Sequence, residues 1–260
     1  MKKELVILGC GSSTGVPAIG NWWGACDPNE PKNRRTRPSI AVLSGETCVV
    51  VDTGPDFREQ MNREKLPMPD AVIYTHMHSD HTGGMDELRT VQRVHKKNMP
   101  VYADSVTMDD LNKRFGHMFQ TTENGFYRQV CEPEIIEFGE LLSIKNVIAK
   151  TFGQDHGTLT SLGLRFGNIG YSTDFKTLNE NAIKTLQGID VWIADSAGFQ
   201  SPENPVHACI DEVIELNKKI GAQSVYLTHM PPTMDYHMLT KMLPDGFAPA
   251  YDGLRLEIMA

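Results

Sequence analysis

The stretch HMHSDH, residues 76–81, contains four potential metal ligands within six positions of the chain. It follows an apolar run at residues 71–75 that predicts a β-strand. The first two histidines are two positions apart, so an extended turn can direct both toward one ion, while the aspartate and the last histidine can reach a second. Imidazole and carboxylate together suit zinc, iron or manganese. Four such residues are rarely so close together in a core or on a plain surface, and the stretch therefore predicts a metal site at a strand end.

Short apolar runs and helical patterns continue along both halves of the chain. The runs predict strands at residues 5–8, 39–43, 48–51, 162–166, 169–172, 191–195 and 224–228, and the helical patterns predict helices at 83–95, 104–115, 179–186 and 207–220. Strand pairs come near the start of each half, and strands then alternate with helices. This order predicts an α/β protein in which two β-sheets lie between layers of helices.

Length and composition limit the class of protein. The 260 residues include 25 Lys and Arg against 33 Asp and Glu, a formal net charge of −8 that argues against attachment to nucleic acid by bulk positive charge. A local basic patch remains compatible with this balance. We expect residues 1–260 to form one domain without a membrane span, because no apolar run approaches about 18 residues. The five cysteines are scattered and form no CxxC pair, which favours reduced thiols in a cytoplasmic protein.

The histidine stretch matches the HxHxDH signature, and the chain resembles the metallo-β-lactamase superfamily over nearly its whole length. Upstream, residues 49–54 are similar to the strand and Asp-x-Gly turn that precede the signature. Downstream, that superfamily has a third histidine, a bridging aspartate and a last histidine at strand ends, and His156, Asp174 and His229 occur in that order. The resemblance implies an αββα sandwich, with two central sheets flanked by helices.

The resemblance also implies a ligand set of seven residues around two divalent ions per chain, Zn²⁺ or Mn²⁺. One ion would be held by His76, His78 and His156, the other by Asp80, His81 and His229, and Asp174 would bridge both. Two neighbouring cations let a bridging water lose its proton near neutral pH and stabilise a leaving oxygen. Asp52, in the Asp-x-Gly turn, would hydrogen-bond within the histidine loop.

Two further features resemble the phosphodiesterase branch of that superfamily, which includes tRNase Z and the phosphoribosyl 1,2-cyclic phosphodiesterases. Residues 8–17, LGCGSSTGVP, are similar to its N-terminal glycine loop, where backbone N–H groups can approach an anion. His207 matches an extra histidine, not a metal ligand, near the scissile phosphate. The resemblance implies that His207 and Asp80 take part in catalysis, and a protonated imidazole suits phosphate binding or protonation of a leaving oxygen. A purely structural place at the start of the helix predicted from residue 207 stays open.

The choice within the branch depends on elements that are missing. The chain has neither the long Gly/Pro-rich arm nor the His-Glu-Ala-Thr-like element of tRNase Z. Residues 23–39 resemble the corresponding loop of the cyclic phosphodiesterases, but of the cysteines that hold a structural metal there only Cys26 is present. We therefore expect a hydrolase for a small cyclic or nucleotide-like phosphodiester, with nucleic acid a less favoured substrate. A tRNase Z-like nuclease, a thioester or lactone hydrolase, a PqqB-like protein and a non-catalytic binding protein remain alternatives.

Two more residues are candidates for contacts near the site. Asp195 ends a predicted strand beside the metal site and would contact the metal ligands rather than the metals. His237 lies in the segment MDYH, residues 234–237, and is a candidate for contact with substrate, although an ordinary surface position is slightly favoured. The sequence leaves homodimer formation open.

Overall fold

Two seven-stranded sheets make up the centre of the protein. The computed structural model describes residues 3–123 and 125–259, and in these residues the strands are β1 (Lys3–Gly9), β2 (Ser39–Ser44), β3 (Thr47–Val51), β4 (Ala71–Ile73), β5 (Met99–Ala103), β6 (Cys131–Ile135), β7 (Leu141–Ile144), β8 (Val147–His156), β9 (Leu159–Phe166), β10 (Ile169–Ser172), β11 (Val191–Asp195), β12 (Ser224–Thr228), β13 (Phe247–Pro249) and β14 (Arg255–Glu257). The α-helices are α1 (Phe57–Arg63), α2 (Ser79–Thr82), α3 (Leu88–His95), α4 (Ser105–Phe119), α5 (Glu180–Leu186), α6 (Ile210–Ile220) and α7 (Tyr236–Met242).

Each sheet joins an antiparallel part to a parallel part. The first has the order β14-β1-β2-β3-β4-β5-β6, and the second has the order β13-β12-β11-β10-β9-β8-β7. Pairing is parallel from β3 to β6 and again from β10 to β13. Because parallel strands end at the same edge of a sheet, the loops that follow β3 and β4 lie together, as do those that follow β10, β11 and β12. These loops carry most of the predicted site residues.

Strands β1 to β4 of the first sheet are buried on both faces over most of their length, which is why they read as apolar runs. In β1, Leu5 and Ile7 belong to the core between the sheets, whereas Val6 and Leu8 belong to the core beneath α1, α3 and α4. Successive side chains of a strand point to opposite faces, so one short segment contributes to both cores. The expected α/β sandwich of two sheets between helices is confirmed.

Several predicted boundaries were wrong. The helix predicted over 83–95 is a 3₁₀ turn, Met85–Glu87, followed by α3, because the backbone N–H of Gly84 is bound to Thr53 O at 2.8 Å. The strand predicted over 71–75 ends at Ile73, since Thr75 N donates to the Asp52 side chain instead of a neighbouring strand. The helix predicted from residue 207 begins at Ile210, so His207 lies in the preceding loop.

Some elements were not predicted at all. Only Cys131 of β6 is buried, and the strand carries Pro133 and two glutamates, so its sequence has no strand pattern. β6 forms because its backbone pairs with β5 at the edge of the folded sheet, and not because of its own side chains. Among the described helices, none combines the length and the apolar character needed to cross a membrane.

Candidate metal centre

The seven predicted ligands converge at one edge of the sandwich although they are far apart in sequence. They come from the loop after β4, from the end of β8, and from the residues just after β10 and β12. The structure brings together His76, His78, His156 and Asp174 as one group and Asp80, His81, Asp174 and His229 as another. Within each group the donor atoms lie within 4.8 Å of one another, and Asp174 belongs to both.

The first group is formed by three histidines around one carboxylate oxygen. His76 Nε2 lies 2.9 Å from His78 Nδ1 and 3.9 Å from Asp174 Oδ1, and His156 Nε2 lies 3.7 Å from the same oxygen. His156 Nδ1 is 2.8 Å from Val206 O, which favours a proton on Nδ1 and leaves Nε2 free to act as a ligand.

The second group is closer to an ideal tetrahedral arrangement. His81 Nε2 lies 3.4 Å from Asp80 Oδ2 and 3.2 Å from Asp174 Oδ2. His229 Nε2 lies 3.3 Å from both Asp80 Oδ2 and Asp174 Oδ1. Donors bound to one tetrahedral zinc at about 2.1 Å are roughly 3.4 Å apart, so these spacings fit an ion at the centre.

An unpartnered buried nitrogen also supports a metal at this position. His81 is fully buried, and its Nε2 makes no hydrogen bond with any described residue despite the nearby carboxylates. Leaving a buried polar atom without a partner costs roughly 1–3 kcal/mol. A divalent cation would satisfy this nitrogen, and the mixed imidazole and carboxylate donors suit such a cation.

Three of the site residues have a strained backbone. Asp52, Asp174 and His229 each follow directly on a strand or lie within two residues of its end, and each has a positive φ, of 65°, 52° and 56°. Residues other than glycine adopt this region at a cost of order 1–3 kcal/mol, and the strain persists only where surrounding bonds enforce it. Such strain is typical of functional sites.

Asp52 has the supporting position that the sequence predicted. Its carboxylate is fully buried and accepts hydrogen bonds from Thr75 N and Thr75 Oγ1, both at 2.8 Å. Its Oδ2 lies 2.7 Å from His81 Nδ1, which directs His81 Nε2 toward Asp80 and Asp174. Thr75 is the residue of this arrangement that sequence reasoning missed.

The two groups differ in their ionisation. Burial lowers the pKa of His76, His78 and His156, with neighbouring histidines adding to the effect. Burial acts in the same direction on His81 and His229, but the carboxylates of Asp174 and Asp80 outweigh it. They raise the pKa of His81 well above its usual value and that of His229 to about 9.

This difference predicts stepwise metal loading as the pH rises. A metal ion must displace protons from its ligands, and only the second group carries protonated histidines at neutral pH in the metal-free protein. We expect the His76 group to take up zinc at pH 6 and the His229 group to fill as the pH approaches 9, with release of protons. Calorimetric titrations with zinc in buffers of different ionisation enthalpy measure the number of zinc ions bound and the number of protons released at each pH. Simultaneous binding of both equivalents at pH 6 without proton release would contradict the prediction.

Asp195 and His207 form a pair next to the two groups. His207 Nδ1 lies 2.7 Å from Asp195 Oδ2, and the His207 ring stacks on that of His229 with centroids 4.9 Å apart. These residues also form a third cluster of potential ligands with His229. However, Asp195 already accepts hydrogen bonds from Phe175 N and Ala197 N, and the 2.7 Å separation is that of a hydrogen bond. The pair therefore orients His207 rather than holding a third ion.

One loop positions both His156 and His207. Asn204 Oδ1 accepts hydrogen bonds from Val206 N at 3.0 Å and from His207 N at 2.9 Å. Val206 O faces His156 Nδ1, while His207 is turned toward Asp195. Asn204 is a further residue that sequence reasoning missed, and the motif signal for it is an Asn-Pro turn two residues before Val206.

The remaining predicted residues lie away from the two groups. His237, on the first turn of α7, is 62% exposed and pairs with Glu30 at 2.6 Å, so its contact with substrate stays a prediction. Cys26 is buried with Sγ 3.3 Å from Pro232 O, and in the described part of the chain no ligand cluster includes it. Its loop is held instead by Asp235, which accepts hydrogen bonds from Asp27 N and Asn33 Nδ2.

Close backbone packing holds the histidine loop in place. A Cβ atom on Gly54 would lie 2.2 Å from Asp80 O, and one on Gly84 would lie 2.2 Å from Gly54 O. We expect Gly54→Ala to displace the Asp80 backbone and to cost about 1–3 kcal/mol of unfolding free energy, the usual range for overpacking. Chemical denaturation and metal content measure the effect.

Gly116→Ala is the matched control for that substitution. Gly116 lies inside α4, and a Cβ there meets no atom within 4 Å. We expect this variant to be as stable as the parent or about 0.5–1 kcal/mol more stable, because alanine restricts the unfolded chain. Equal stability of the Gly54 and Gly116 variants would contradict the packing argument.

A small cavity adjoins the second group. It has a volume of about 280 Å³ and is lined by Ser79 and Asp80 on one side and by Ser13, Thr14 and Arg37 on another. The glycine loop that carries Ser13 and Thr14 is attached to the site through Ser12 N, which donates to Met230 O, and through Met230 N, which donates to Cys10 O. The loop thus forms one wall of a hollow that opens beside Asp80.

Two facing sheets with this His/Asp cluster at one edge are the architecture of the metallo-β-lactamase fold. Residues 47–230 match the protein family described as "Beta-lactamase superfamily domain", and the chain belongs to that superfamily. A solved structure described as a new diphosphatase from the PhnP family is 32% identical to the chain, with a TM-score of 0.88. The match covers 99% of this chain and 98% of that one.

Two curated relatives are similar over less of their own length. An octanoyltransferase of Porphyromonas gingivalis is 28% identical over 261 residues, 97% of this chain and 51% of that protein. A ribonuclease Z of Thermococcus sibiricus is 29% identical over 141 residues, 52% of this chain and 44% of that protein. The chain therefore spans about half the length of each of these two relatives.

Proposed function

We propose that the protein is a binuclear phosphodiesterase that acts on a small cyclic or nucleotide-like phosphodiester and uses two divalent ions, zinc or manganese. The observation that carries the proposal is the His207–Asp195 pair beside two complete ligand groups. Metal ions alone serve many hydrolases of this fold, whereas a separate, oriented imidazole suits a reaction that must protonate an alkoxide leaving group.

The proposed reaction assigns separate work to the metals and to the side chains. When bound, two divalent ions would supply a nucleophile at neutral pH and neutralise the non-bridging phosphate oxygens. Asp195 Oδ2 accepts a hydrogen bond from His207 Nδ1–H. This bond directs Nε2, the other ring nitrogen, toward the substrate. Protonated His207 would then donate its Nε2 proton to the leaving oxygen. Asp80 and Asp174 hold the second group of donors in place for this step.

The cavity beside Asp80 supports a small substrate. Its volume of about 280 Å³ is near the lower limit of ligand pockets, and hydroxyl groups of Ser13 and Thr14 can donate to sugar or phosphate oxygens. Arg37 adds a positive charge, although its Nε is already 3.0 Å from Asp56 Oδ2. The similar PhnP-family structure is that of a diphosphatase, and cleavage of a diphosphate, like that of a phosphodiester, requires nucleophilic attack on phosphorus.

A second candidate is hydrolysis or transfer of an acyl group. It is favoured by the similarity to the Porphyromonas gingivalis octanoyltransferase, of which the chain spans only 51%. In this case the substrate would be a thioester, and His207 would be dispensable because a thiolate leaves without protonation. A ribonuclease Z-like activity is a third candidate, but the net charge of −8 weakens it.

Comparison of substrates on one preparation tests the proposal. We expect zinc- or manganese-loaded protein to bind two metal equivalents and to hydrolyse bis(p-nitrophenyl) phosphate and uridine 2′,3′-cyclic phosphate. Octanoyl-coenzyme A, a lactone and a precursor tRNA are the competing substrates in the same buffer. Higher kcat/KM for octanoyl-coenzyme A than for either phosphodiester would replace the proposal with the acyl alternative. A fully loaded protein that cleaves only the precursor tRNA would replace it with the nuclease.

A further inference from the structure

A second cavity, of about 310 Å³, lies at the C-terminal end of α3 beside residues 126–130. We call it the basic–aromatic cavity, after the six side chains that define it. Four are cationic and two are aromatic: Arg89, Arg93, Lys96, Arg128, Phe126 and Tyr127. No acidic residue is among the described residues that line it, although the whole chain carries a net charge of −8.

The cations are gathered there by helical spacing and by a second segment. Arg89 and Arg93 are one turn apart on α3, and Lys96 is the C-cap residue that follows the helix, while Leu88 and Val91 are buried. Arg89 pairs with Asp86 at 3.3 Å. In the described part of the chain, Arg93, Lys96 and Arg128 have no carboxylate within ion-pair distance, so three positive charges face one small volume unneutralised.

Helix electrostatics account for only part of this arrangement. Cations near the C-terminus of a helix are favoured by its dipole, which explains Arg93 in the last turn and Lys96 at the C-cap without a ligand. Arg128 comes from a different segment and has no such reason to be there. Like charges held together raise the free energy of the folded protein, and a bound anion relieves that repulsion.

Two hydrogen bonds between Thr122 and Tyr127 hold the segment that carries the two aromatic rings next to these cations. Phe126 is 77% exposed and Tyr127 is 52% exposed, with ring centroids 4.9 Å apart and nearly perpendicular planes. Thr122 N donates to Tyr127 O at 2.9 Å, and Tyr127 N donates to Thr122 Oγ1 at 3.1 Å. Exposed flat rings beside guanidinium groups suit a ligand that has both a planar ring and phosphates.

From these observations we infer that the basic–aromatic cavity binds a free nucleotide with two or more phosphates. The base stacks on Tyr127 with Phe126 at its edge, because the two rings are nearly perpendicular, and Arg93, Lys96 and Arg128 bind the phosphates. The volume suits one nucleotide rather than a strand. None of the residues involved belongs to the metal centre, so the inference does not depend on the proposed phosphodiesterase activity.

Calorimetric titration of the metal-loaded 260-residue protein with ATP tests the inference. We expect Arg93→Gln/Lys96→Gln to weaken ATP binding at least about 10-fold, the usual effect of losing a charge-assisted contact. Tyr127→Leu should weaken it about 10-fold through loss of stacking. Lys218→Gln/Lys219→Gln, on the exposed face of α6, is the charge-matched control and should leave binding unchanged. Hydrolysis of bis(p-nitrophenyl) phosphate should be unaffected in all three variants.

Other ligands distinguish the outcomes. Inorganic triphosphate should bind more weakly than ATP, and binding of equal strength would exclude the stacking role of the rings. Binding of octauridylate without binding of ATP would replace the free nucleotide with a nucleic-acid strand. ATP binding that is equal in the parent and the Arg93→Gln/Lys96→Gln variant would assign ATP to another part of the protein and overturn the inference. Absence of ATP binding to the parent would overturn it as well.

Discussion

Replacing Asp174 with alanine is expected to abolish loading of both metal sites and to lower phosphodiester hydrolysis by at least about 10³-fold. Its Oδ2 lies 3.2 Å from His81 Nε2 in the second group, and its Oδ1 lies between the groups, 3.3 Å from His229 Nε2 and 3.7 Å from His156 Nε2. Its pKa is well below the usual value because the charges of His229 and His81 outweigh the effect of burial, so it is available as an ionised ligand at any moderate pH. Metal ions contribute several kcal/mol to such reactions, and each 1.36 kcal/mol is a factor of ten in rate.

Two other aspartates provide the controls for this substitution. Asp80 belongs only to the second group, so Asp80→Asn should cost one metal equivalent where Asp174→Ala costs two. Asp155 is exposed and lies in neither group, and Asp155→Asn should keep both equivalents and full activity. Elemental analysis after dialysis, together with circular dichroism, separates metal loss from unfolding. Two retained equivalents in folded Asp174→Ala would show that this carboxylate does not bridge the groups.

Removal of the His207 side chain should leave metal content unchanged and lower activity in a way that depends on the leaving group. For uridine 2′,3′-cyclic phosphate, which releases an alkoxide, we expect kcat/KM of His207→Ala to fall by about 10²–10⁴-fold, the range for a positioned acid or base. The p-nitrophenolate of bis(p-nitrophenyl) phosphate needs little protonation, so the loss there should be smaller. The ratio of the two losses is the measurement.

Asp195→Asn tests whether the carboxylate acts through His207. Phe175 N and Ala197 N donate to different oxygens of Asp195, so the amide, with one oxygen, can accept only one of these two hydrogen bonds. It also lacks the charge that holds the Nδ1 proton of His207. We expect the same dependence on the leaving group as for His207→Ala, with a smaller loss. Equal small losses on both substrates in both variants would make His207 a structural residue of the loop at 204–207.

The sandwich could be predicted from sequence where burial determines side-chain type. β3 and β12 lie between other strands of their sheets, so their apolar runs are conspicuous, and β10 and β11 are bounded as predicted. β6 lies at a sheet edge and exposes four of its five residues, so its sequence, CEPEI, does not distinguish it from a loop. For such strands, backbone pairing with a neighbour decides the structure.

Local sequence also misplaced the loop before α6. The apolar stripe of that helix extends the helical pattern back to residue 207, but Ala208 N is bound to Phe175 O, and Ile210 N to Phe199 O. These bonds to distant segments hold residues 207–209 outside the helix. They also let His207 reach Asp195, a contact that an isolated helix start would not provide.

The sequence by itself determined two things about this protein. One is the types of its metal donors, because imidazole and carboxylate groups at HxHxDH spacing have few other uses. The other is its division into apolar strands and amphipathic helices. Tertiary structure decided which donors face one another. His229 and Asp80 are 149 residues apart and meet at 3.3 Å only because two sheets bring the ends of their parallel strands to one edge. Asp52, Asp174 and His229 each have a positive φ at this edge, where their side chains meet the other site residues. Local preference opposes these φ values, and the bonds of the folded protein maintain them.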